Sequence, residues 1–139
     1  MEFSTTTAHA EAVKADAVAV GVFADGELTA SARALDKASR GAVKAAIKSG
    51  DMTGKRGTQL ALRGLPGVSA DRVLLVGLGS RDDFSDRAFA EAVRAVVKAF
   101  PGAAEIALAA TEWSVKGRDS EWAARQFAIA AREAVFRTD

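Results

Sequence analysis

His9 is the single histidine of the chain, and there is no cysteine. A catalytic imidazole works with a partner that orients it or shares its proton. No carboxylate pair stands at helical spacing from His9, so it reads as an ordinary surface residue. Without cysteine, disulfides and thiolate metal sites are excluded. The sequence has no Gly-x-Ser-x-Gly elbow, no phosphate-binding Gly-Lys-Ser/Thr loop and no His-Glu-x-x-His helix. The expectation is a chain with no complete catalytic site and no metal site of its own.

Three other constellations carry chemistry. Asp82, Asp83 and Asp86 crowd the start of an expected helix. Carboxylates bind hard cations, but they also cap helix N-termini and complement the helix dipole. The cluster is short and has no further ligand near it in sequence, so capping is the expected role. Val76-Gly77-Leu78-Gly79-Ser80 leaves an apolar run and enters a helix, the setting in which backbone N–H groups face an anion. Gly77, Gly79 and Ser80 are the candidates for such a turn. The third glycine of the dinucleotide fingerprint is missing, however. Asp82 stands in its place and, with Asp83, repels phosphate, which favours a plain strand-to-helix turn.

The third constellation is basic. Between residues 33 and 56 stand Arg33, Lys37, Arg40, Lys44, Lys48, Lys55 and Arg56 against only Asp36 and Asp51. The first five are spaced by 4, 3, 4 and 4 residues, one helical stripe opposite an apolar one at Leu35, Ala38, Ala42 and Ala46. Such a stripe can follow a phosphate backbone, or simply keep a helix wetted. No aromatic residue interleaves with it, which argues against base stacking.

These residues need a framework. Glu2 to Thr7 reads as a short strand, and Ala17 to Phe23 (AVAVGVF) as a strand buried on both faces. Ala30 to Ser49 reads as one helix closed by Gly50, with Gly41 awkward in its interior. Thr58 to Leu62 and Arg72 to Leu78 read as paired strands separated by the Leu65-Pro66-Gly67 turn. Phe84 to Phe100 is a helix with a stripe of Phe89, Ala92, Val93, Val96, Val97 and Phe100, stopped by Pro101-Gly102. Glu105 to Ala110 is a strand, and Asp119 to Phe136 a last helix with Ala123, Phe127, Ala130 and Ala134 inward. The order β-β-α-β-β-α-β-α predicts an α/β domain with a mixed, mostly parallel sheet flanked by helices.

The whole chain of 139 residues fits one domain. Its net charge of +1 exerts no general pull on nucleic acid or lipid. The polar start, Met1 to Thr7, lacks the order of a secretory signal. The longest apolar run, Ala17 to Ala24, is far too short to span a bilayer. A cytoplasmic protein with no membrane partner is expected.

Weak patterns recur in a fixed order along the chain. They are Met1-Glu2-Phe3-Ser4, Gly21-Val22-Phe23, Leu35-Asp36-Lys37 with Ser39 and Gly41, Gly50-Asp51 with Gly54-Lys55, Leu65-Pro66-Gly67-Val68, Arg72 through Gly79, Val115-Lys116-Gly117-Arg118, and Trp122 with Arg125-Gln126. In order and spacing the chain resembles the N-terminal domain of the leucyl (cytosol) aminopeptidases, peptidase family M17, of the bacterial aminopeptidase A type.

The resemblance implies a macro-domain-like fold over residues 1–139 as a single N-terminal domain. It also implies that catalysis resides in a C-terminal domain absent from this sequence, where two divalent ions, zinc or manganese, are bound. No catalytic or metal residue carries over to this chain. The implied role is structural and regulatory, with the catalytic domain and a homo-hexamer as partners. Hexamer contacts come largely from the catalytic domain, so the isolated domain is expected to be a monomer or weak dimer. Some bacterial members of the family also bind DNA. The basic helix at 33–48, with Lys55, Arg56, Lys116 and Arg118, is the candidate surface for that alternative. An ADP-ribose-like ligand at residues 77–80 is a third.

Overall fold

The computed structural model describes residues 2–5, 10–99, 105–108, 113, 115, 117–119 and 121–129. His9, Lys116, Phe100 to Gly102, Ala130 and Ala134 lie outside them. The strands are β1 (Glu2–Thr5), β2 (Ala17–Phe23), β3 (Gln59–Arg63), β4 (Arg72–Gly79) and β5 (Glu105–Leu108). The helices are α1 (Ala30–Ala38), α2 (Ala42–Lys48), α3 (Asp86–Ala99) and α4 (residues 121–129). Short 3-10 turns occupy Ala10–Ala12 and Arg81–Asp83.

The five strands form one sheet in the order β1-β5-β2-β4-β3. The pairs β1–β5, β5–β2 and β2–β4 are parallel, and only β3–β4 is antiparallel. The expected mixed, mostly parallel sheet is the sheet observed.

Successive side chains of a strand point to opposite faces, and β2 and β4 are apolar on both. Ala17, Ala19 and Phe23 of β2 join Leu74, Val76 and Leu78 of β4 in a core beneath α3, together with Trp113 and Phe127. Val18, Val20 and Val22 join Val73 and Leu75 in a second core beneath α1 and α2, with Leu35, Val43 and Met52. Gly21 stands on the α3 face, where a Cβ would come within 2.8 Å of the Trp113 indole nitrogen. The missing side chain is what seats the indole against the sheet.

The expected single helix over 30–49 is two helices. Arg40 has φ of 61° and Gly41 φ of 91°. The Gly41 N–H donates to the Asp36 carbonyl (2.7 Å) and the Arg40 N–H to the Lys37 carbonyl (3.3 Å). This crossed pair of bonds closes α1 as a Schellman motif, with Arg40 at the left-handed position that glycine usually takes. Gly41 then begins α2 without a capping side chain. Asp36, 8% exposed, supplies the cap from α1: its carboxylate accepts from the Lys44 N–H at 2.9 Å. Side-chain periodicity continues across the break, which hid it. Gly41 has open space around its Cβ position, so it serves the turn rather than close packing.

The start of α3 also differs from expectation. Its cap is Ser85, whose hydroxyl accepts from the Ala88 N–H at 3.2 Å. Asp82 and Asp83 lie before the helix, in the 3-10 turn, and Asp86 in its first turn. Asp119 likewise caps α4 by accepting from the Trp122 N–H at 2.8 Å.

Candidate functional site

The polypeptide leaves β2 towards α1 on one face of the sheet and leaves the adjacent β4 towards α3 on the other. Where neighbouring parallel strands part in this way, a crevice opens beyond their carboxyl ends, and ligands of open α/β sheets bind in such crevices. Here it is an open concavity of about 300 Å³ lined by Ala24, Lys55, Arg56, Leu78, Gly79, Ser80 and Asp83. Leu78, Gly79 and Ser80 of the candidate anion turn form one wall.

That turn is already engaged by the chain itself. The segment 54–58 lies across the crevice as a strap. The Gly77 N–H donates to the Thr58 carbonyl (2.8 Å), and the Gly79 N–H donates to the Gly54 carbonyl (2.9 Å). The Ala24 N–H donates to the Gly79 carbonyl at 2.9 Å, tying the end of β2 to the same turn. Backbone approaches so closely that a Cβ on Gly54 would run into the Phe23 carbonyl, and one on Gly77 into the Lys55 carbonyl and Thr58 hydroxyl. Thr58 rigidifies the strap by donating its hydroxyl to the Lys55 carbonyl at 2.5 Å. Two of the backbone donors an anion would need are therefore held by carbonyls. The two glycines spaced as in a phosphate loop make room for a strap.

Two cations beside the crevice, Arg56 and Arg81, are held in ion pairs. Arg56 reaches over α3 to Glu91 at 2.6 Å. Hydrogen bonding by Arg56 is the largest influence on Glu91 and holds its carboxyl below the usual carboxylate range. Arg81 pairs with Glu27 at 3.2 Å, and its guanidinium lies 3.9 Å from the centre of the Phe23 ring. Ser80 and Lys55 are exposed. Among the described residues, the concavity brings together no nucleophile with an activating base.

The basic stripe is divided by the helix break. Arg33 and Lys37 lie on α1, Arg40 in the turn, Lys44 and Lys48 on α2, and Lys55 and Arg56 in the strap. All seven are exposed. The Lys44 amine stands 4.0 Å from the Asp36 carboxylate, and Arg56 is the partner of Glu91. The cations therefore do not form the single continuous row that an uninterrupted helix would present.

In the acidic cluster, Asp86 is paired with Arg118 at 2.9 Å, a contact that raises the already high Arg118 pKa. Among the described residues, no group of three or more His, Cys, Asp or Glu side chains is placed to hold a metal ion. The described residues therefore supply no donor set for two divalent ions.

An α/β sandwich around this mostly parallel sheet is a macro-domain-like fold. The macrodomain of Mycobacterium tuberculosis DarG superposes with a TM-score of 0.61 over 95% of this chain and 91% of its own, at 12% identity. A mutant of tomato leucine aminopeptidase superposes with a TM-score of 0.69 over 96% of this chain and 28% of its own, at 23% identity.

Residues 19–139 match the N-terminal domain of the cytosol aminopeptidase family, and the chain belongs to that family. A probable cytosol aminopeptidase of Aromatoleum aromaticum is 43% identical over 100% of this chain and 28% of its own length. One of Ralstonia pickettii is 44% identical over 99% and 29%. The chain thus spans less than a third of the length of the curated relatives it matches.

Proposed function

We propose that this chain is the non-catalytic N-terminal domain of a metal-dependent leucyl aminopeptidase. In this role it helps to assemble the parent's hexamer and limits access to its active sites. The parent would release N-terminal amino acids from peptides in the cytoplasm, using zinc or manganese bound by its other domain. One observation carries the reading: aminopeptidase relatives match the chain from end to end, yet it accounts for only 28% of the length of the Aromatoleum protein. The strap supports it, because two N–H groups of the candidate anion turn are already held by the chain's own carbonyls.

The test has two arms. Pure chain incubated with manganese or zinc and a leucine anilide should show no turnover above the blank; reproducible turnover would refute the non-catalytic role. In the full-length parent, deleting this domain should alter the number of subunits in the assembly or admit larger peptides to the active sites. A deletion that changed neither would refute the role in assembly and access. The basic residues are divided between two helices, a turn and the strap, and Arg56 is committed to Glu91, so no specific observation favours contact with DNA.

A further inference from the structure

The sheet ends at β3, and among the described residues no strand pairs with its outer edge. The Thr58 carbonyl accepts from the Gly77 N–H, and the Gly64 N–H donates to the Asp71 carbonyl. These bonds bracket the β3–β4 ladder, in which Gln59 pairs with Val76, Ala61 with Leu74 and Arg63 with Arg72. Bonded and non-bonded pairs alternate in an antiparallel ladder. The N–H and C=O groups of Gln59, Ala61 and Arg63 therefore point away from β4. Edge strands are commonly blunted by proline, an inward charge or a covering loop; β3 (QLALR) contains no proline, and its central three residues are uncharged.

We propose that β3 pairs antiparallel with β3 of a second copy of this chain about a two-fold axis at Ala61, joining two sheets into one. Three observations favour a second copy as the occupant. The strand is self-complementary in this register: Gln59 faces Arg63 of the second copy, Leu60 faces Leu62, and Ala61 faces Ala61, so no like charges oppose one another. The flanks are compatible, because Thr58 falls opposite Gly64 and Gly57 opposite Leu65. A Cβ on either glycine would meet nothing within 4 Å, so neither flank obstructs approach. Finally, the second core is incompletely covered at this edge, where Leu60, Leu62 and Leu65 are only partly buried. The pairing stacks Leu60 of each copy on Leu62 of the other, on the face that already carries α1 and α2.

Sedimentation of the pure chain across a concentration series tests this. The mass should rise from 14.4 kDa towards twice that value. Gln59→Glu places a carboxylate opposite each Arg63 and should tighten the dimer by about fivefold through two cross-strand charge pairs, and Gln59→Arg should weaken it by a similar factor. Both positions are exposed, so the unfolding temperature of the monomer should hold in both variants. Ala61→Pro removes an outward N–H and leaves the bonds to β4 in place; it should abolish association. A chain that remains monomeric at its highest soluble concentration overturns the proposal, and the edge is then free for another domain of the parent. A dimer indifferent to both Gln59 substitutions overturns it as well, by placing the interface elsewhere.

Discussion

Arg40 adopts a left-handed conformation that costs an L-residue with a side chain about 1–2 kcal/mol. Arg40→Gly should therefore stabilise the domain by up to about 1 kcal/mol, read as a higher urea midpoint with an unchanged slope. Asp36, four residues earlier, works in the opposite sense. Its carboxylate is the cap of α2, and Asp36→Ala should cost about 1 kcal/mol in the same assay. Neither role was visible beforehand, because Asp36 looked like one of two acids interrupting a basic stripe. Glu91 supplies a test against pH. Its folded pKa is depressed, chiefly by the Arg56 hydrogen bond, so its contribution is present above the unfolded pKa and is lost as pH falls through the folded one. Wild type and Glu91→Gln should differ in melting temperature at neutral pH, and the difference should shrink in acid. The carboxylate is 41% exposed, so the difference should be small and diminish further in salt.

At the level of elements, strands and helices were legible where one periodicity ran unbroken. The apolar stripe of α3 (Phe89, Ala92, Val93, Val96, Val97) is buried as its spacing predicts, and β2 is buried throughout. The strap was not legible. Its partners, Gly77 and Gly79, stand some twenty residues away, and a glycine pair after a strand looks alike whether it admits a phosphate or a backbone carbonyl. Gly77→Ala distinguishes the two uses. A Cβ there meets strap backbone, so the strap must move, at about 1–3 kcal/mol. Trypsin should then cut faster after Lys55 or Arg56, with little change at other basic sites. An unchanged cleavage rate would show that the strap does not depend on this contact.

For the molecule as a whole, the order of elements and the layered fold followed from alternating periodicities, and kinship followed from the order of many weak motifs. What joins the layers is aromatic. Phe89 lies 6.4 Å from Phe84, 6.0 Å from Trp113 and 5.3 Å from Trp122, ring centre to ring centre. It thereby links α3 to the α4 region and, through Trp113, to Gly21 of β2. Phe89→Ala should cost about 3–5 kcal/mol, a large share of the ~5–15 kcal/mol typical of a domain. Denaturant titration followed by tryptophan emission reads it directly, since both indoles adjoin the ring. The strand order has one more consequence, in time rather than in space. Strand β1 is made first but bonds to β5 alone, with Glu2 opposite Glu105. On a ribosome adding ~5–20 residues per second, roughly 5–20 s separate the two. Strand β1 must wait until β5 has been made before it has a strand to pair with.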